Sequence, residues 1–207
     1  MLTGSMNSLA DGITYLRVPP SVPAASVEDF RELLRLEDGE YGDDAMLTSF
    51  LMAASDYARI YLNRSLVTTE YTRQWDTARL AGGLSLEYKT PPNMYLTYPP
   101  LISVDRVYTI DRDGTERDIT GYYVDELSAP ARVYFTEFVQ GRQIAMLRIE
   151  YTAGYGDSYA LVPELIQQGI LRQAAYMYEN RGDCSNEGAA QKSGALHLYR
   201  GYRVVFV

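Results

Sequence analysis

The sequence predicts an α+β fold: a small helical bundle with a β-rich insertion and extended N- and C-terminal arms. Two segments with helical spacing of apolar residues lie near the N-terminus, and a third lies in the C-terminal half. The region between them contains short β-branched and aromatic runs. We therefore divide the chain into an N-terminal arm at residues 1–25, a body at residues 26–182, and a linker with a C-terminal arm at residues 183–207.

The N-terminal arm contains three prolines and neither a helical nor a strand period, so we expect it to be extended. Ser26 then precedes Asp29 by three residues, which is close to a capping box. The apolar residues that follow have helical spacing and predict a first helix over residues 27–36.

An acidic loop follows the first helix. It is expected to contain five carboxylates: Glu37, Asp38, Glu40, Asp43 and Asp44. After this loop, apolar residues recur every three or four positions, which predicts a second helix of about five turns over residues 44–62 with one buried face.

The insertion at residues 66–152 is predicted to be β-rich, because turn residues separate short runs of β-branched and aromatic side chains. The predicted strands are residues 66–75, 84–88, 95–98, 104–110, 122–124, 132–135 and 146–152. Residues 111–114 have the composition of a tight turn and predict at least one hairpin.

A third helix is predicted over residues 163–181. Pro163 suits its first position and Gly182 suits its C-terminal cap. The small and polar residues 183–194 favour a loop or linker. Residues 195–207 are aromatic and basic, and their last four residues resemble a strand.

Composition limits the classes of function. Hydrophobic residues make up 46% of the chain and charged residues 22%, as in an ordinary globular protein. The net charge of −8 argues against binding nucleic acid through a basic face. We expect no signal peptide and no membrane span, and Cys184, the one cysteine, can form neither an internal disulfide nor a zinc site.

The counts of tyrosine and arginine point to contacts with other proteins. The chain has 19 tyrosines, and among its 19 basic residues only Lys89 and Lys192 are lysines. Protein interfaces favour tyrosine and arginine over lysine. A GC-rich genome would exchange lysine for arginine but would not raise tyrosine, so we expect extensive protein contacts.

No residue pattern predicts catalysis, a cofactor or a metal. His197 is the only histidine, and it lies with Cys184 in a segment expected to be mobile. The acidic turn around Gly114 resembles part of a calcium loop, but threonines stand at two of the required ligand positions. A carbohydrate-active enzyme would need paired carboxylates in a cleft; Glu87, Asp125 and Glu150 are available, but no sequence pattern marks them as such a pair.

The order of short motifs along the chain resembles the head-tail connector family of tailed phages, also called adaptor or head-completion proteins. Two N-terminal helices and a β-rich insertion are followed by four motifs that carry the resemblance: Gly154-Tyr155-Gly156-Asp157, Val162-Pro163-Glu164, Tyr178-Glu179-Asn180-Arg181 and Tyr202-Arg203. The resemblance covers about residues 26–207, and the N-terminal arm is longer than the family leads us to expect.

The resemblance implies a non-catalytic protein of the virion neck, made in the host cytoplasm. It implies a homo-oligomeric ring, commonly a dodecamer, that docks beneath the portal protein and binds a stopper or tail-terminator protein below. DNA would pass through the ring without sequence-specific binding, and no cofactor or membrane would be involved. Another ring-forming protein of the tail or baseplate is the alternative.

Three sets of candidate residues follow. The C-terminal segment of such proteins often reaches the portal, and aromatic and cationic side chains alternate here, as in a protein anchor or a single-strand binder. The acidic loop would line the channel and repel the DNA backbone. The portal-docking candidates are Tyr199, Arg200, Tyr202, Arg203 and Phe206; the channel-lining candidates are Glu37, Asp38, Glu40, Asp43 and Asp44; the subunit-contact candidates are Tyr57, Gln167 and Tyr176.

Overall fold

The computed structural model describes residues 12–36, 44–76, 94–136, 144–181 and 185–205. Over these residues the chain forms five α-helices and two antiparallel sheets. This confirms the predicted α+β class. The helices are α1 Val27–Leu34, α2 Asp44–Leu62, α3 Glu164–Glu179, α4 Asn186–Lys192 and α5 Ala195–Tyr199. The strands are β1 Ile13–Val18, β2 Thr69–Asp76, β3 Met94–Leu96, β4 Leu101–Asp111, β5 Glu116–Asp118, β6 Tyr122–Asp125, β7 Ala131–Phe135 and β8 Ile144–Ala153.

The chain divides into two compact units. A β unit contains residues 1–19 and 69–153, and a helical unit contains residues 20–68 and 154–207. Each unit has a hydrophobic cluster of its own. The division differs from the predicted one, because part of the predicted N-terminal arm belongs to the β unit and the predicted C-terminal arm belongs to the helical unit.

The β unit is a sandwich of two sheets. The larger sheet has the strand order β1-β2-β8-β4-β5, and the smaller has the order β3-β7-β6. Side chains alternate between buried and partly exposed along β2 and β7, because every second residue of a strand faces the core. The buried residues of both sheets meet in one cluster that includes Trp75, Val133 and Ile149.

The hairpin predicted at residues 111–114 is confirmed between β4 and β5. The amide of Asp111 donates to the Thr115 carbonyl at 2.9 Å, and the amide of Gly114 donates to the Asp111 carbonyl at 3.0 Å. Gly114 has a φ of 87°, a conformation that glycine adopts without strain. The strand expected at residues 84–88 lies outside the described residues.

The helical unit packs α1, α2, α3 and α5 around one core that includes Phe30, Leu51 and Ile170. Ser26 caps α1 as predicted, since its Oγ accepts a hydrogen bond from the Asp29 amide at 3.2 Å. Helix α1 ends at Leu34, two residues before the predicted end, and α3 ends at Glu179 with Asn180 as its cap. The expected cap Gly182 is outside the described residues.

Three expectations for the terminal segments are wrong. Residues 13–18 form strand β1, whose side chains are mostly exposed and therefore show no alternation in the sequence. The expected linker contains helix α4, which Ser185 caps, which buries Ala189 and Ala190, and which packs against α2 and α3. Val204 and Val205 are not in a strand, because the chain before them forms α5 and a turn of 3₁₀-helix.

Within the described ranges, no helix combines the length and apolar character that crossing a bilayer requires.

Candidate functional site

The C-terminal segment folds onto the end of α2. The Val204 amide donates to the Leu62 carbonyl at 2.9 Å, and the Val204 carbonyl accepts from Asn63 Nδ2 at 3.0 Å. Arg64 Nε donates to the Tyr202 carbonyl at 3.1 Å. The segment predicted as a free arm is therefore held to its own subunit as far as Val204.

Tyr199 is buried, although the sequence placed it among the portal-docking candidates. Its side chain is 0% exposed, and its hydroxyl donates to Gln173 Oε1 at 3.2 Å. Burial raises the pKa of Tyr199 well above its usual range. The phenol ring lies against Gly169 of α3, so Tyr199 stabilises the helical core.

The other described docking candidates reach the surface. Arg200 and Arg203 are exposed and Tyr202 is half-buried. Arg203 lies over the ring of Tyr61 with 5.0 Å between its guanidinium carbon and the ring centroid, a cation–π contact. Phe206 is outside the described residues.

Two tyrosines of α2 extend this surface. Tyr57 and Tyr61 lie one helical turn apart on α2, and their rings stack with centroids 6.1 Å apart. Burial raises the pKa of Tyr57, and the carboxylate of Glu187 raises it further. We call the group formed by Tyr57, Tyr61, Arg200, Tyr202 and Arg203 the C-terminal patch.

Tyr61 was not identified from the sequence as part of this patch. The spacing of Tyr57 and Tyr61 by four residues was a usable signal, because such pairs share a helix face. The contact between Tyr61 and Arg203 joins residues far apart in the chain, so no local pattern predicts it.

The remaining candidates each contact a different neighbour. Gln167 is half-buried, and its Nε2 donates to the Val162 carbonyl at 2.7 Å. The Tyr176 ring lies 5.9 Å from Lys192 Nζ. Asp44 is the first residue of α2, and its exposed carboxylate accepts from Arg31 Nε at 3.0 Å. Glu37, Asp38, Glu40 and Asp43 are outside the described residues.

In the described part of the chain, no group of three or more His, Cys, Asp or Glu residues is arranged to hold a metal ion. The geometry of the C-terminal patch instead combines stacked phenol rings with guanidinium groups at an ordered surface. Such side chains are enriched where proteins bind other proteins.

Comparison with solved structures identifies the fold. A chain from the neck of an empty gene transfer agent (GTA) particle, computed with C6 symmetry, matches with a TM-score of 0.68 at 23% identity, over 93% of this chain and 97% of that chain. A chain from the neck of a native GTA particle, computed with C12 symmetry, matches over the same shares with a TM-score of 0.67 at 23% identity. This chain has the fold of a GTA neck chain.

A third match, from the virion of a native GTA particle, has a TM-score of 0.72 at 23% identity over 94% of this chain and 96% of that chain. Because these matches cover almost the whole chain, the shared fold includes both the β unit and the helical unit. No protein-family model matches the sequence, and no curated protein matches it.

Proposed function

We propose that this chain is a structural, non-catalytic subunit of the neck of a tailed phage or a phage-like particle. Copies of it would form a ring beneath the portal, join head to tail and surround the DNA exit channel. The observation that carries the proposal is the likeness to GTA neck chains over nearly the full length of both proteins. The order of motifs along the sequence supports the same family.

The ring is supported by the symmetry of the neighbours, whose necks were computed with C6 and C12 symmetry. In a cyclic ring each subunit uses two different surfaces, one toward each neighbour. We assign Tyr57, Gln167 and Tyr176 as subunit contacts, because each leaves part of its side chain at the surface of the helical unit.

We assign portal docking to Arg200, Tyr202 and Arg203 of the C-terminal patch, with Phe206 as a further contact outside the patch. The hydrogen bonds that hold Val204 to α2 support this role, since a preformed surface loses less conformational entropy on binding than a free arm. Tyr199 contributes indirectly by fixing α5 on α3.

We assign Glu37, Asp38, Glu40, Asp43 and Asp44 to the channel wall. Carboxylates there would repel the DNA phosphates and let the duplex slide without sticking. The exposed position of Asp44 at the start of α2 is compatible with this assignment.

Electron microscopy of the purified protein, alone and with a portal, tests the proposal. We expect rings docked on the portal, and docking at least about tenfold weaker in the double variant R200E/R203E, because both side chains are exposed and cationic. R112E, in the exposed β4–β5 turn, is the matched charge reversal and should dock normally. A stable monomer that never binds a portal contradicts the proposal.

A further inference from the structure

Within the described residues, strand β1 is an edge of the larger sheet. Among the described strands it pairs with β2 alone. Its apolar side chains Ile13, Tyr15, Leu16 and Val18 are 39–47% exposed, although such residues are usually buried. An edge strand with apolar side chains is a template for pairing with another chain.

The only charged side chain of β1 does not block the addition of another strand at this edge. Arg17 extends across the sheet, where its guanidinium lies 2.7 Å from Glu70, 2.7 Å from Glu150 and 3.5 Å from Asp105. These contacts fix β1 on its own sheet. They also leave the outer edge without the lysine or the inward-pointing charge that commonly blocks strand addition.

Strand β6 is an open edge of the smaller sheet, since it pairs with β7 alone among the described strands. Tyr123 is 55% exposed. Asp125, the charged residue of β6, accepts hydrogen bonds from the amides of Leu127 and Ser128 and from the Ser128 hydroxyl. Its carboxylate is therefore engaged in the β6–β7 turn, and the edge remains apolar.

The two open edges lie on opposite sides of the sandwich. On one side, Thr14 of β1 shares a 2.8 Å hydrogen bond with Thr97, which follows β3. On the other side, β6 follows β5 after three residues, and the Ile119 amide donates to Val107 of β4 at 2.8 Å. Strand β5 is also an edge there, but its three residues are charged and exposed, so it is poorly suited to pairing.

We propose that β1 of one copy pairs with β6 of the neighbouring copy, so that the sandwiches join edge to edge around the ring. The occupant of the β1 edge is thus a second copy of this chain. Because the two edges differ and face opposite ways, their contact is head-to-tail and can be repeated around a closed ring. The inference rests on the proposed ring and names the surfaces that form it.

Cysteine crosslinking tests the contact. In a C184S background, L16C protein and Y123C protein are mixed under ring-forming conditions, with or without portal, and treated with a short bis-maleimide. We expect a covalent dimer in the mixture, and a ladder of larger species when both cysteines are in one chain. Neither single variant should crosslink to itself. A self-crosslinked L16C dimer, or no crosslink in rings that have formed, overturns the inference.

Charge substitutions give a second readout. L16K and Y123K should each lower ring formation at least about tenfold, because a lysine on an edge strand opposes pairing. I102K places the same charge on an exposed residue of β4, outside the two strands of the proposed contact, and should form rings normally. If L16K and Y123K leave ring formation unchanged, the β1–β6 contact is wrong but the proposed neck function is not affected. If the unmodified protein neither forms rings nor docks on a portal under any condition, the contact and the proposed neck function are both wrong.

Discussion

Gly169 lies in α3 where the helix approaches the buried ring of Tyr199. A Cβ at this position would overlap the ring, with Tyr199 Cδ1 and Cζ both at 3.0 Å. Alanine ordinarily stabilises a helix relative to glycine by about 1 kcal/mol, but overpacking a core costs about 1–3 kcal/mol. The balance of these two effects predicts that G169A lowers the free energy of unfolding by up to about 2 kcal/mol in urea denaturation. G188A in α4, where a Cβ would meet only the Ser185 hydroxyl at 3.3 Å, should be neutral or stabilising. Equal effects of G169A and G188A would contradict the packing of the Tyr199 ring against Gly169.

Ser26 joins two local interactions at the start of α1. Its hydroxyl accepts from the Asp29 amide and donates to Glu28 at 2.8 Å. Hydrogen bonding to the backbone, and then to Ser26, lowers the pKa of Glu28, so this contribution is present at neutral pH and is lost as the pH falls through the lowered value. We expect S26A to reduce stability by about 1 kcal/mol at pH 7 and by less in acid. S49A, on the exposed side of α2, is the control. If the effect of S26A is the same at every pH, the Glu28 carboxylate does not contribute to the stability of the cap.

At the scale of elements, the sequence predicts those whose pattern is local. Helix α2 and strands β2 and β8 have a clear period, because one face packs against a core. Strand β1 was missed because both of its faces are largely exposed, and α4 was missed because two small alanines carry its buried face. In the C-terminal patch, the exposed Arg200 and Arg203 could be predicted from composition. The burial of Tyr199 could not, because Gly169 and Gln173, which receive its side chain, come from a distant helix.

The attachment of β1 depends on one side chain that contacts three other strands. Arg17 reaches Glu70 on β2, Asp105 on β4 and Glu150 on β8. We expect R17M to reduce stability by about 1 kcal/mol in low salt and by less in 1 M salt, since partly exposed ion pairs are screened. Hydrogen exchange of the amides of residues 13–18 should become faster, whereas R112M should leave it unchanged. Unchanged exchange in R17M would show that pairing with β2 alone holds the strand.

At the scale of the whole molecule, the chain leaves the helical unit after Thr68 and returns to it at Gly154. The Tyr155 amide donates to the Leu66 carbonyl at 3.1 Å, and the Thr68 amide donates to the Gly156 carbonyl at 2.9 Å. The chain ends that flank residues 69–153 are thus adjacent. Since the helical unit has its own hydrophobic cluster, a short linker could replace the insertion without disturbing that cluster.

Removal of residues 1–19, together with replacement of residues 69–153 by a short Gly-Ser linker, should give a helical protein that unfolds cooperatively. Circular dichroism measures its helix content, and urea denaturation measures its unfolding. The same variant with I166D should not fold, because Ile166 is fully buried in the helical core. The shortened protein retains the C-terminal patch but lacks β1 and β6. It should therefore bind the portal and yet form far fewer closed rings than the full chain, because only the proposed contacts at Tyr57, Gln167 and Tyr176 of the helical unit remain. If it folds and still forms closed rings as well as the full chain does, the helical unit holds the copies together and the sandwich edges have another role.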